Sequence, residues 1–133
     1  MEQSFVALLL SDAALVALVG DRIHWDTQTQ GEAKPAVVLY LVSDVPDYHM
    51  QGPSGFVESR VQIDCRGATR KSAKAVASAV QDLLSGYSGT VGNIKFQGIF
   101  KDNERSSFEK PDNGSEAFFL VSADYRVITG LAA

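Results

Sequence analysis

Few residues in this chain have the types and spacing that chemistry needs. It has two histidines, His24 and His49, and one cysteine, Cys65. Asp44, Asp47 and His49 fall close together and could offer three metal ligands. A structural metal wants a fourth ligand, and a catalytic one wants its three held rigidly; a solvated histidine is the simpler reading of this segment. Gly52-Pro53-Ser54-Gly55 sets a serine among glycines, yet it lacks the G-x-S-x-G spacing of a nucleophile elbow and precedes a strand. Gly and Pro there fit a chain reversal. Gly86 to Gly92 is glycine-rich without the Lys-Ser/Thr that a phosphate loop requires. Cys65 falls on the apolar side of an alternating run and reads as a small packed hydrophobe. No catalytic residue, cofactor site or metal site is expected, and the chain reads as a non-enzyme.

What remains is charge. Glu58, Arg60, Gln62 and Asp64 alternate with Val57, Val61, Ile63 and Cys65, so the two sets point to opposite faces of one strand. Near the C-terminus Ser122, Asp124 and Arg126 share a face in the same way. Arg60 and Asp64 can meet Asp124 and Arg126 as cross-strand pairs, worth a few tenths to ~1 kcal/mol each. Alternatively they face a neighbouring subunit, where charge sets register. Arg70, Lys71 and Lys74 crowd the start of a helix against its dipole, at ~0.3–1 kcal/mol per exposed residue. They read either as a solvated face or as a contact for an acidic partner. Two polar segments, Pro46 to Gly55 and Lys101 to Gly114, are expected to be loops. Binding residues concentrate on loops held by a rigid scaffold, which makes Asp47, Tyr48 and His49 in the first and Glu104, Arg105 and Phe108 in the second candidate subunit or partner contacts.

The elements that must position these residues follow from pattern. The chain of 133 residues, 45% hydrophobic and 21% charged, is expected to be one domain spanning 1–133. A net charge of −4 argues against a broad nucleic-acid face. A single cysteine allows no internal disulfide and fits a reducing compartment. Without a visible secretory signal or a ~20-residue apolar span, the chain is expected to be soluble and cytosolic when made. Phe5, Leu8 and Leu9 share a helical face; Ser11 is placed to cap a second short helix ending at Val19-Gly20. Ile23-His24-Trp25 reads as a short strand and Asp26 to Lys34 as a polar loop. Ala36 to Val45 is a strand, apolar on both faces from Val37 to Val42 and therefore expected to be central and covered twice, and Phe56 to Cys65 is the alternating strand. Thr69 caps a helix with the stripe Ala73, Val76, Ala77, Val80 and Leu84. Val91 to Phe100 and Ala117 to Thr129 are two further strands. The order α-β-β-β-α-β-β predicts an α+β fold, a mainly antiparallel sheet with helices packed on one side.

An ordered set of segments carries a resemblance. It comprises Leu8-Leu9-Leu10-Ser11-Asp12, Leu18-Val19-Gly20-Asp21-Arg22-Ile23, Pro35-Ala36-Val37-Val38 and Gly52-Pro53-Ser54-Gly55 leading into Arg60-Val61-Gln62-Ile63-Asp64. The alanine-rich helix Ala73 to Leu84, Gly98-Ile99-Phe100 and Ser122-Ala123-Asp124-Tyr125-Arg126-Val127 complete it. Over nearly its whole length the chain resembles the tail terminator (tail completion) proteins of long-tailed bacteriophages and gene transfer agents. The resemblance implies a structural virion protein that forms a ring, commonly a hexamer, at the head-proximal end of the tail tube. Such a ring stops tube polymerisation and presents a head-tail joining surface. The implied partners are further copies of itself, the tail tube protein and the head connector or stopper, with DNA only passing through and no membrane contact. The implied location is the tail-neck junction of the particle, after assembly in the host cytoplasm. Lys101 to Gly114 departs from the family pattern. Another neck adaptor, or a small ligand- or metal-binding domain using Asp44, Asp47 and His49, are the alternatives.

Overall fold

The computed structural model of the chain describes residues 1–26, 35–110 and 117–131, apart from the side chains of His49, Pro53 and Leu131. Two helices, α1 (Glu2–Leu10) and α2 (Ala13–Val19), precede strands β1 (Ile23–Trp25), β2 (Ala36–His49) and β3 (Gly52–Gly67). Helix α3 (Arg70–Leu84) then leads to β4 (Gly89–Val91), β5 (Ile94–Glu109) and β6 (Phe118–Leu131). The strands form one sheet in the order β1-β2-β3-β6-β5-β4. β1 runs parallel to β2 and every other pairing is antiparallel. The fold is α+β, as the pattern predicts.

The helices lie on one face of the sheet, and the core sits between. The α3 stripe Ala73, Val76, Ala77, Val80 and Leu84 is buried as its spacing requires, against Val61, Ile63, Cys65, Val121 and Ala123 from the sheet and Leu15 and Val19 from α2. Thr69 caps α3, its Oγ1 accepting from the Ser72 N–H at 3.1 Å. At α2 the cap is Asp12, not Ser11. The Asp12 carboxylate accepts from the Leu15 N–H at 3.2 Å, while the Ser11 hydroxyl donates back to the Leu8 carbonyl at 2.6 Å and closes α1. Gly67 lies directly under the first turn of α3. A Cβ there would stand 2.5 Å from the Ala73 nitrogen and 3.0 Å from the Thr69 carbonyl oxygen, so backbone rests on backbone.

Both segments expected as loops prove largely to be strand. β2 continues through Pro46 to His49, and β3 already begins at Gly52, with His49 opposite Gly52. Register shifts after Leu41 and after Pro46 take up the extra residues. Pro46 lacks a ladder donor and is tolerated because β1 flanks only Val37, Val38 and Leu39, leaving the rest of that edge open. Gly55, at φ +90°, takes a backbone angle that a side chain would strain. In the second segment Lys101 to Glu109 belongs to β5, paired as far as Glu109 opposite Phe118; residues 111–114 of the expected loop lie outside the described residues, as do 27–34 of the first polar loop. Ladder hydrogen bonds hold these extensions, not burial, so their sequences lack the apolar alternation that marks a half-buried strand.

Pairing of β3 with β6 begins only at Val57 opposite Thr129. Beyond that point, past the Phe56 ring that lies against Gly130 of β6, the β2–β3 hairpin extends as an arm with no strand pairing beyond its own ladder among the described residues, and every described side chain from Leu41 to Gln51 is exposed.

Candidate functional site

The face of the sheet opposite the helices carries an ion lattice. Arg60 on β3 lies directly opposite Arg126 on β6, a like-charge pairing that alone is unfavourable. Asp102 resolves it. A register shift in β5 between Lys101 and Asn103 releases Asp102 from strict alternation. Its carboxylate binds Arg60 Nη2 at 2.9 Å and Arg126 Nε at 3.1 Å. Asp124 extends the lattice to Arg60 at 3.6 Å and Arg105 at 3.7 Å, and Glu58 adds Arg126 at 3.7 Å. The Arg126 guanidinium also lies over the Phe100 ring, 5.5 Å from its centroid. Three arginines and three acids thus neutralise one another on a surface that no second layer of described residues covers. The side chains stay partly exposed, so each pair is worth a few tenths to ~1 kcal/mol, and register is the larger consequence.

The cross-strand pairing expected for Arg60 and Asp124 is present. Asp64 is spent differently: it is buried, accepting from the Ser122 hydroxyl at 2.6 Å and the Gln62 amide at 3.0 Å. Lys74 also turns inward. Its ammonium meets Glu104 at 3.0 Å, and Lys101 reaches both Glu104 at 2.8 Å and the Gln81 side-chain oxygen at 2.6 Å. This clamp ties α3 to β5. The hydrogen bond from Lys101, then that from Lys74, holds the Glu104 carboxyl below its ordinary range. Asp102 and Lys101 escaped sequence reasoning because both sit where a loop was expected, and a bulge decides which way Asp102 points.

Two regions remain open. At one end is the arm, with Asp47 and Tyr48 exposed on it; Asp44, at its base, accepts from the Ser59 hydroxyl at 2.5 Å. The His49 side chain lies outside the described atoms. Val45, Tyr48 and Met50 are 57%, 65% and 105% exposed. At the other end, Arg70 and Lys71 stand exposed on the first turn of α3. Near them Phe108, 56% exposed, packs on Phe119 with ring centroids 4.9 Å apart.

Among the described residues no group of three or more His, Cys, Asp or Glu is placed to hold a metal ion. Ser54 serves its turn, its hydroxyl accepting from the Phe56 N–H at 3.2 Å. Burial, reinforced by Asp64, pushes the Cys65 thiol well above its ordinary range. No single described helix is long and apolar enough to cross a membrane.

Residues 3–130 match the family Tail completion protein gp17, and the chain belongs to that family. It is a structural protein of a phage-type tail. No curated protein matches its sequence. Among solved structures, a chain of the virion of a native gene transfer agent (GTA) particle is similar, with TM-score 0.72 and 20% identity over 98% of this chain and 94% of that one. At that identity the likeness is one of fold.

Proposed function

We propose that this chain closes into a homo-oligomeric ring, six-fold, on the head-proximal end of the tail tube, where it ends tube growth and offers a joining surface to the head connector. DNA passes through the ring without sequence-specific binding, and the protein performs no catalysis. Assembly takes place in the host cytoplasm, and the finished ring resides at the tail-neck junction. Family membership supports the tail context. The observation that carries the reading is the arm: a hairpin with apolar side chains exposed at its end has little to gain in an isolated domain and much to gain against a partner. Ring closure follows when one surface meets a different surface of the next copy after a fixed rotation.

The test replaces residues 45–58 by Asn-Gly, which keeps Asp44 opposite Ser59 and closes a two-residue hairpin. The shortened chain is expected to remain folded and to yield tails that are overlong or fail to join heads. Tails of normal length that join heads normally would overturn the role of the arm. Copy number on isolated tails, counted by electron microscopy, tests the ring; a single copy per tail would refute it.

A further inference from the structure

Resting on that ring reading, we propose which surfaces meet: the β2–β3 arm of one copy docks on the start of α3 of the next, Asp44 and Asp47 facing Arg70 and Lys71, with the arm's apolar tip against the Phe108–Phe119 pair. The two surfaces are complementary in charge. Residues 42–58 contain Asp44, Asp47 and Glu58 and no Lys or Arg, whereas residues 66–74 contain Arg66, Arg70, Lys71 and Lys74 and no acid. On the basic side Lys74 is engaged by Glu104, while Arg70 and Lys71 make no ion pair among the described residues. On the acidic side Glu58 is engaged by Arg126, and Asp47 makes no ion pair among them. Positive charge in the first turn of a helix is unfavourable by itself, and an incoming carboxylate relieves it.

The surfaces match in apolar character too. Val45, Tyr48 and Met50 are exposed on the arm. Opposite Gly67 on β6 is Phe119, and opposite Phe119 on β5 is Phe108. Strand spacing therefore sets the aromatic pair about 5 and 10 Å from Gly67, which itself lies beneath the first turn of α3. Basic and aromatic groups thus share one end of the sheet. The nearby Glu109 accepts from the Ser107 hydroxyl.

A copy cannot satisfy itself. The arm tip and the α3 start lie at opposite ends of β3, Gly52 and Gly67, roughly 50 Å apart along an extended strand. The complement must come from another copy, and the contact joins unlike surfaces. Repeated, it closes a ring or propagates.

The experiment is a charge swap. One variant carries Asp44→Lys with Asp47→Lys, the other Arg70→Glu with Lys71→Glu; the second places acids at a helix start, where they favour the fold. Thermal melts confirm that both are folded. Self-association is read by mass photometry over a concentration series and by copy number on tails. Each variant alone is expected to need about tenfold more protein to assemble, and an equimolar mixture to regain wild-type assembly with the two chains alternating. Zero-length carbodiimide coupling of wild-type assemblies is expected to join Asp47 to Lys71. If wild-type rings form but the single variants assemble equally well, or the mixture does not recover, the arm docks elsewhere and the ring reading stands. If the wild type forms no oligomer in solution or on tails, the ring reading falls and this docking with it.

Discussion

Gly67→Ala adds one methyl group where the sheet and α3 share backbone contact. The new Cβ would lie 2.5 Å from the Ala73 nitrogen, 3.0 Å from the Thr69 carbonyl oxygen and 3.1 Å from the Ala73 Cα. All three obstacles are main chain, so no rotamer change relieves them and the first turn of α3 must recede by roughly 1 Å. Recession loosens Ala73, Val76 and Ala77 from the sheet they pack against. Overpacking of this kind costs about 1–3 kcal/mol. At this chain length each kcal/mol lowers Tm by about 3–5 °C, so a fall of about 3–15 °C is expected. The control is Gly98→Ala. Its Cβ also meets atoms closer than 3 Å, at 2.9 Å, but these are ring carbons of Phe100, a side chain 44% exposed and able to swing aside. Its cost is expected below about 1 kcal/mol, since the neighbour can yield. Thermal denaturation by circular dichroism compares the two, and hydrogen exchange locates the loss to α3. An equal or larger fall for Gly98→Ala would refute the argument that the compliance of the obstructing atoms decides the cost.

Other perturbations follow the same logic. Glu104 has its carboxyl pKa lowered by Lys101 and Lys74, so its contribution is present above the unfolded value of 4.5 and is lost as pH falls through the folded value. Melts from pH 7 down into the acid range should show the gap between wild type and Glu104→Gln narrowing as pH falls below 4.5; a gap that widens or stays constant throughout would contradict the clamp. Cys65, buried with its thiol pushed up, should resist a soluble maleimide at pH 8 until denaturant unfolds the protein; prompt labelling of the native chain would show that the strand opens there. Asp102→Ala removes the acid shared by Arg60 and Arg126, leaving only their longer contacts to Asp124 and Glu58, and should cost about 1 kcal/mol in urea melts, with the difference shrinking in 1 M salt. A salt-independent difference would point to packing instead.

The parts of this fold that bury apolar surface were legible in the sequence. The α3 stripe, its Thr69 cap and the alternating β3 face follow from periodicities of 3.6 and 2, because burial imposes those periods. The run expected to be covered on both faces from Val37 to Val42 is buried only from Val37 to Leu39, and Leu41 and Val42 are exposed. What escaped were features held by hydrogen bonds alone. Asp12 and Ser11 are both competent caps side by side, and only the helix geometry chooses between them. Pro46, Gly52, Pro53 and Gly55 read as turn chemistry, yet the first three sit in paired strand, at register irregularities or beside an open edge.

That failure falls where the reading of function would place it. Periodicity reports contacts a chain makes with itself, so an extension with no partner in its own domain presents mixed polar and apolar residues and resembles a loop. The β2–β3 arm has that character: acidic, largely exposed from Leu41 to Gln51, apolar at the tip, and held by its own ladder with Phe56 resting on Gly130 at its base. The end of β5 is paired with β6 and its Phe108 packs on Phe119, but its side chains stand exposed, so the sequence there reads as a charged connection. The candidate contacts Asp47, Tyr48 and Phe108 all lie in these two extensions, while Asp64 and Lys74, also candidates by charge, are absorbed by Ser122 and Glu104 inside the chain. Sequence charge alone could not separate the two groups, because an acid with an internal partner and an acid awaiting an external one look the same. Strand pairing separates them: past Val57 on β3, where the ladder to β6 stops, Asp47 and Tyr48 stand exposed, whereas Asp64 and Lys74 lie where neighbouring elements supply partners.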